Sequence, residues 1–210
     1  MRIWLASLAL GCAALAAHGA SGAAVPLAPA RLPAEVSAAL DRHRDAPEGA
    51  RAGAPLGLIV LHPKCPCSLV ELDQLATLAG PTTPKVRWLA LFVVPPGAPD
   101  GFAEGALWDR VQARDDIEAV IDRDGVLARA LGAERSGTLA LYDSAGALRF
   151  QGGLTEARGH AGPSRGLTLL HAALNELEPA GIGADTASRS CTTTSARGCA
   201  LFTSPTASTP

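Results

Sequence analysis

The chain has no surplus of basic residues: 18 Lys and Arg stand against 20 Asp and Glu, for a formal net charge of −2. That balance excludes the basic footprint of a nucleic-acid binder and implies no electrostatic partner. Aromatic residues are few, at 4% of the chain, and many of its apolar residues are alanines in the flanks. No Gly-rich phosphate fingerprint follows the first apolar strand, which counts against a nucleotide-binding Rossmann domain. The apolar run near the N-terminus, Ile3 to Ala17, is 15 residues long, short of the roughly 18 to 20 that span a bilayer. No Ser/His/Asp arrangement stands out and no internal repeat occurs. A peroxidatic cysteine site would want Ser or Thr three residues before its Cys, where Cys65 and Cys67 have His62 and Lys64.

What is present suffices for one domain with flanking segments: 210 residues, 48% of them hydrophobic. Arg2, the apolar run and the small residues that follow have the layout of a secretory signal, with cleavage between Ala16 and Ala24. A retained anchor, or lipidation at Cys12 within Leu8-Ala9-Leu10-Gly11-Cys12, are the other readings of this segment. All three imply an exported protein, periplasmic or held at the membrane facing the periplasm. In such a compartment disulfides persist, so cysteines there are structural, catalytic or metal-binding. Of five cysteines, Cys65, Cys67, Cys191 and Cys199 lie beyond the signal.

Four regions follow from composition. Residues 1–24 are the signal or anchor, and 25–54 an Ala/Pro/Gly-rich tether with a short helical interlude at 33–44. Residues 55–178 are the domain. Residues 179–210 form a Ser/Thr/Ala/Gly-rich tail, mobile except where its two cysteines tie it down. Within the domain, continuous apolar runs at 56–62 and 86–94 predict strands buried on both faces. Leu69, Leu72, Leu75, Ala76 and Ala79 recur at helical spacing across 68–80. A helix at 102–114, a strand at 117–122 and a short helix at 124–133 come next. A hairpin spans 137–153 around Asp143-Ser144-Ala145-Gly146, and an amphipathic helix at 165–178 closes the domain. Strands separated by helices call for a largely parallel sheet, to which the hairpin adds an antiparallel edge.

The first strand ends at His62-Pro63, and Lys64-Cys65-Pro66-Cys67 precedes the next helix. Here the chain resembles the thioredoxin-like superfamily, its exported thiol–disulfide interchange members in particular, and most of all bacterial RedB-like thioredoxin-fold proteins. The resemblance rests on HPKCPCS (62–68), the 120–153 block, RGHAG (158–162) and RGCALF (197–202). It implies an α/β thioredoxin-like fold: a central mixed sheet flanked by helices, with a C-terminal β-hairpin and a final helix. It implies further a thiol–disulfide oxidoreductase without a cofactor, acting on protein partners that carry thiols or disulfides. Two departures stand out. The family carries Cys-x-x-Cys where this chain has Cys-x-Cys, and Gly137 stands where the family has a cis-proline.

At a helix N-terminus, free backbone N–H groups and the helix dipole stabilise a thiolate. Cys65 or Cys67 would lie at or just before a helix starting near Ser68, its expected N-cap, with Lys64 as a positive neighbour. Two resolving schemes follow. A Cys65–Cys67 disulfide closes a small, strained ring and is comparatively oxidising. Alternatively Cys199 arrives from the tail to resolve a single attacking thiolate. A different class of function is a copper-binding or copper-delivering module similar to the SCO type, with Cys65, Cys67 and His62 or His160 as soft and imidazole ligands. A third is a non-catalytic thioredoxin-fold domain, in which Cys65 or Cys67 pairs with Cys191 or Cys199 merely to pin the tail. Asp122, Asp124 and Asp143 read as turn and cap residues, and His171 as a surface or packing residue.

Overall fold

Six strands and five helices make up the computed structural model, which describes residues 28–42, 54–78, 85–177 and 191–202. The signal or anchor at 1–24 lies outside the described residues, as do parts of the tether and of the tail. No helix among the described residues is long and apolar enough to cross a membrane.

The two apolar runs and the strand expected at 117–122 become β1 (Leu56–Leu61), β2 (Arg87–Val94) and β3 (Ile117–Arg123), paired in parallel with Leu58 beside Leu89 and Ala90 beside Ala119. The hairpin strands are β4 (Thr138–Tyr142) and β5 (Leu148–Gly152). The sheet order is β3-β2-β1-β4-β5-β6, with β4 antiparallel to β1 and β5 antiparallel to β4. This is the thioredoxin-like arrangement: a mixed central sheet flanked by helices. The hairpin does not end the sheet, because β6 (Thr192–Thr193), from the tail, pairs in parallel with β5 at Phe150–Thr192.

Successive side chains of a strand point to opposite faces, so each strand feeds two cores. Ile59, Leu61, Phe92 and Leu139 pack beneath α2 (Cys67–Ala76), α3 (Ala106–Gln112) and α5 (Arg165–Asn175), through Leu72, Leu75, Val111, Leu170 and Leu174. Leu58, Val60, Leu91 and Tyr142 pack on the other face against α1 (Ala34–Arg42) and α4 (Val126–Ala130), through Val36, Leu127 and Ala128. Burial on both faces is what the unbroken apolar runs of β1 and β2 predict. Gly57 of β1 permits a close approach, since a Cβ there would lie 2.0 Å from the Trp88 ring.

Several local expectations hold. The Asp122 carboxylate accepts from the Leu127 and Ala128 amides at 2.9 and 2.8 Å and so caps α4. Asp143 accepts from the Ala145 and Ala147 amides in the hairpin turn and pairs with Arg149 at 2.5 Å. His171 is exposed.

Both flanks are held more firmly than composition implies. From the expected tether, the Ala28 amide donates to Gln151 Oε1 at 2.6 Å, Arg31 bridges to Ala147, and Val36 is fully buried. From the expected mobile tail, the Thr194 amide donates to Gln151 O at 2.9 Å and the Leu201 amide to Glu134 O at 2.9 Å. Leu201 is buried, and Arg129 lies 4.0 Å over the Phe202 ring. Backbone pairing and apolar burial, rather than cysteines, fix 191–202 to the sheet.

Candidate functional site

The segment after β1 turns sharply before it becomes helical. The Cys65 amide donates to His62 O at 2.9 Å and the Ser68 amide to Cys65 O at 3.1 Å. Pro66, which has no N–H to satisfy, is the N-cap of α2, and Cys67 is its first residue. Ser68 is therefore not the cap. Its hydroxyl is fully buried and bonds the Ser136 hydroxyl at 2.6 Å.

Opposite this turn lies the connection from α4 to β4. Its Gly137 has φ +85° and donates its amide to Val60 O at 2.8 Å. Proline could do neither, since its φ is fixed near −65° and it lacks the N–H. A Cβ at 137 would also come 2.9 Å from Glu71 Cγ. Three features thus account for glycine at 137, where the resemblance leads one to expect a cis-proline, and no cis peptide bond occurs among the described residues.

The tail runs antiparallel along this connection. The Ser136 amide donates to Cys199 O at 2.8 Å, Arg135 bridges to Ala200, and the Leu201 amide donates to Glu134 O. Gly198 makes the approach possible, because a Cβ there would stand 1.9 Å from Ser136 O. The ladder sets Cys199 directly against Cys65.

Cys65 is 1% exposed, whereas Cys67 and Cys199 are half-buried, and all three are free thiols. Burial by itself pushes the Cys65 thiol up. The thiol and backbone N–H of Cys199, the Ser68 hydroxyl and the backbone N–H of Cys67 outweigh it and bring the thiol down to about 7. Four donors thus converge on one sulfur. The same contact with Cys65, together with burial, holds the Cys199 thiol above its usual range, and the Arg158 guanidinium partly offsets this. Arg158 donates to Cys199 Sγ at 3.1 Å and also hydrogen-bonds Cys67.

The cation at the cysteines is therefore Arg158, from the loop after β5, and not the expected Lys64. Lys64 Nζ donates to Glu104 O at 2.8 Å and lies 5.5 Å from the centre of the Phe102 ring. The turn at 62–65 aims it at the loop before α3, away from the sulfurs. Of the copper-reading histidines, His62 Nδ1 accepts the Lys64 amide at 3.1 Å and its ring stands edge-on to Phe102. Burial holds the His62 imidazole below its usual pKa. The His160 side chain is exposed on the Arg158 loop. Among the described residues no three His, Cys, Asp or Glu side chains gather as a metal site. Cys191 lies apart from this group, its side chain against the second core with its sulfur 3.8 Å from Thr192 O.

Ser68, Ser136, Arg158 and the buried Glu71 surround the site without being legible from the cysteine pattern itself. The signal for Ser68 lies in the family motif: it stands three residues after Cys65, where Cys-x-x-Cys places its second thiol. Arg158 lay within the RGHAG stretch. Glu71, 2% exposed, accepts from the Leu154 amide and the Thr155 hydroxyl at 2.8 and 2.7 Å.

No protein-family model matches the sequence, and no curated protein matches it. Among solved structures, an uncharacterized conserved protein from Geobacillus kaustophilus superposes with a TM-score of 0.50 at 17% identity, covering 76% of this chain and 82% of that one. This likeness shows the fold. A thioredoxin-like superfamily protein, SPOA0173, gives 0.44 at 21% identity, over 65% of this chain and 89% of its own. The exposed lipoprotein thioredoxin Etrx1 of Streptococcus pneumoniae gives 0.40 at 21% identity, over 61% and 89%.

Proposed function

We propose that this chain is an exported, RedB-like thiol–disulfide oxidoreductase that acts on protein thiols and disulfides, with Cys65 and Cys199 as its exchanging pair. The observation that carries the reading is the convergence on Cys65 of four donors, one of them the Cys199 thiol. A sulfur so surrounded is a good leaving group and a stabilised thiolate. A cysteine serving only to pin the tail needs no such surroundings.

In the oxidising direction, a partner thiolate attacks the half-buried Cys199 sulfur of a Cys65–Cys199 disulfide. The partner–Cys199 bond forms and the Cys65–Cys199 bond breaks, leaving the electron pair on Cys65. A second partner thiolate attacks the partner's own sulfur in the mixed disulfide and releases Cys199 as a thiolate beside Arg158. The partner dithiol becomes a disulfide and this chain a dithiol, a two-electron exchange in balance. In the reducing direction the same steps run backward, and the partner's potential sets the direction. The alternative Cys65–Cys67 bond lacks comparable support, because Cys67 meets Arg158 while Cys199 meets Cys65 itself. The signal-like N-terminus supports export.

The test is a disulfide map of the full chain in glutathione buffers of graded potential, quenched by alkylation. The expected result is a Cys65–Cys199 bond that opens and closes between about −120 and −270 mV. A bond still closed below about −300 mV marks a structural staple and defeats the proposal.

A further inference from the structure

The geometry points to a second site: a cleft at the carboxyl ends of β2 and β3 that binds a zwitterionic α-amino acid with an apolar side chain. The inference stands apart from the thiol reading, because no cysteine lines the cleft.

The cleft has a volume of about 270 Å³, at the small end for ligand pockets, which suits an amino acid better than a nucleotide. Val94 ends β2, Arg123 ends β3, and the two are partners in the sheet. Open α/β sheets place their ligands beyond such strand ends. Here the first core comes to the surface. Val94 is buried, while Phe102, Trp108 and Ile121 are half-buried along the lining. Together they offer an apolar floor.

The facing wall is the loop between β2 and α3, and its own bonds hold it in shape. The Phe102 amide donates to Pro99 O at 3.2 Å and the Glu104 amide to Gly101 O at 2.9 Å. Lys64 Nζ fastens the loop by donating to Glu104 O at 2.8 Å, and the His62 ring stands edge-on to Phe102. Lys64, aimed away from the sulfurs, thus serves this wall.

Charge selects the ligand. Arg123 lines the cleft from β3, and Asp100 and Glu104 line it from the loop. Among the described residues, none of these three charged groups takes part in an ion pair or a side-chain hydrogen bond. A carboxylate docks on a guanidinium through two parallel N–H donors, and an ammonium suits the two carboxylates. A dicarboxylate would face Asp100 and Glu104, and a diamine would face Arg123. A zwitterion satisfies all three. Exposed pairs of this kind are individually weak, so the apolar floor supplies most of the affinity and the charges supply the selectivity.

The experiment titrates L-phenylalanine, 3-phenylpropanoate and 2-phenylethylamine into the full-length chain, followed by calorimetry and by the NMR signal of the Trp108 indole N–H. The three probes share a ring and differ in charge. Phenylalanine should saturate the chain at millimolar concentration and shift the Trp108 signal. Phenylpropanoate lacks the ammonium and phenylethylamine lacks the carboxylate, and each should bind about fivefold more weakly. Arg123→Gln should lower phenylalanine to the affinity of phenylethylamine. Asp100→Asn combined with Glu104→Gln should lower it to that of phenylpropanoate. All three side chains are exposed, so these variants keep the fold. Absence of saturation by phenylalanine overturns the proposal. Equal affinities for the three probes also overturn it, leaving an apolar cleft without selectivity. Phenylethylamine binding as tightly as phenylalanine would mark a seat for a partner's basic side chain instead, and is equally fatal. Binding that leaves the Trp108 signal unmoved, or that ignores the rim variants, lies elsewhere and overturns it too. None of these readouts involves Cys65 or Cys199, so the proposed function stands or falls separately.

Discussion

Cys199 stands against the sulfur of Cys65 and shifts its titration, and a 2.8 Å bond from the Ser136 amide to Cys199 O holds it there. The contact sets a strand-mouth cysteine against one that arrives with the tail, and it makes the tail part of the site. It also explains why Cys65 has almost no exposed surface although α2 begins beside it: the segment that supplies its partner covers it.

Cys199→Ser should abolish the intramolecular bond, so that oxidised glutathione leaves an unresolved mixed disulfide on the chain. Cys67→Ser should still close Cys65–Cys199. Intact-mass analysis after oxidation separates the two, and a Cys67→Ser chain that cannot close would shift the pairing to Cys65–Cys67.

Gly198→Val should dislodge the tail, since its Cβ would meet Ser136 O at 1.9 Å. Exchange of the Ser136 amide should quicken and Cys65 should alkylate faster, with a loss of about 1–3 kcal/mol in stability, ordinary for overpacking. Unchanged Cys65 reactivity would mean that the tail does not shield it.

Arg158→Gln should slow alkylation of Cys199 below pH 9, because the guanidinium offsets the upward pressure on that thiol. Arg158→Lys should retain part of the effect by keeping the charge while losing the directed N–H. Rates that do not distinguish Gln from Arg would remove Arg158 from the site.

Cys65 and Glu71 tilt stability in opposite directions with pH. The folded Cys65 thiol lies at about 7 against 9.0 unperturbed, so the unfolded chain binds more protons between these values. Stability of the reduced chain should therefore rise from pH 7 to 9, on the order of 2 kcal/mol, and be lost as pH falls through 7. Denaturant melts of the wild type and Cys65→Ser read this directly, and parallel curves would refute it.

Burial, outweighing bonds from the Thr155 hydroxyl and the Leu154 and Thr155 amides, pushes the Glu71 carboxyl above its ordinary value. The folded state then binds more protons just above pH 4.5, and stability falls as pH rises through that window. Glu71→Gln should flatten the slope, whereas Glu71→Leu should cost about 1–3 kcal/mol by leaving the buried Leu154 amide unpaired. Urea midpoints from pH 4 to 8 test both.

The sequence by itself determined β1, β2, the hairpin and the helices within a few residues, because strand and helix periodicities are local and the core is apolar on both faces of the sheet. It also determined that Cys65 and Cys67 stand between a buried strand and a helix, the position from which the resemblance drew its redox reading. Tertiary structure decided which cysteine faces which, that Arg158 rather than Lys64 is the cation at the sulfurs, and that Ser68 bonds Ser136 instead of capping α2. It decided also that Thr192–Thr193 join the sheet and that the tail around Cys199 pairs with the connection before β4. Each of these depends on backbone pairing or side-chain bonds between segments far apart in the chain, such as Ser136 with Cys199 and Arg158 with Cys199. Spacing along a chain reports neighbours within a helical turn or along a strand. Which distant edge a short polar tail will pair with depends on sheet order and on the room left by Gly198 beside Ser136 O, and those exist only once the sheet has formed.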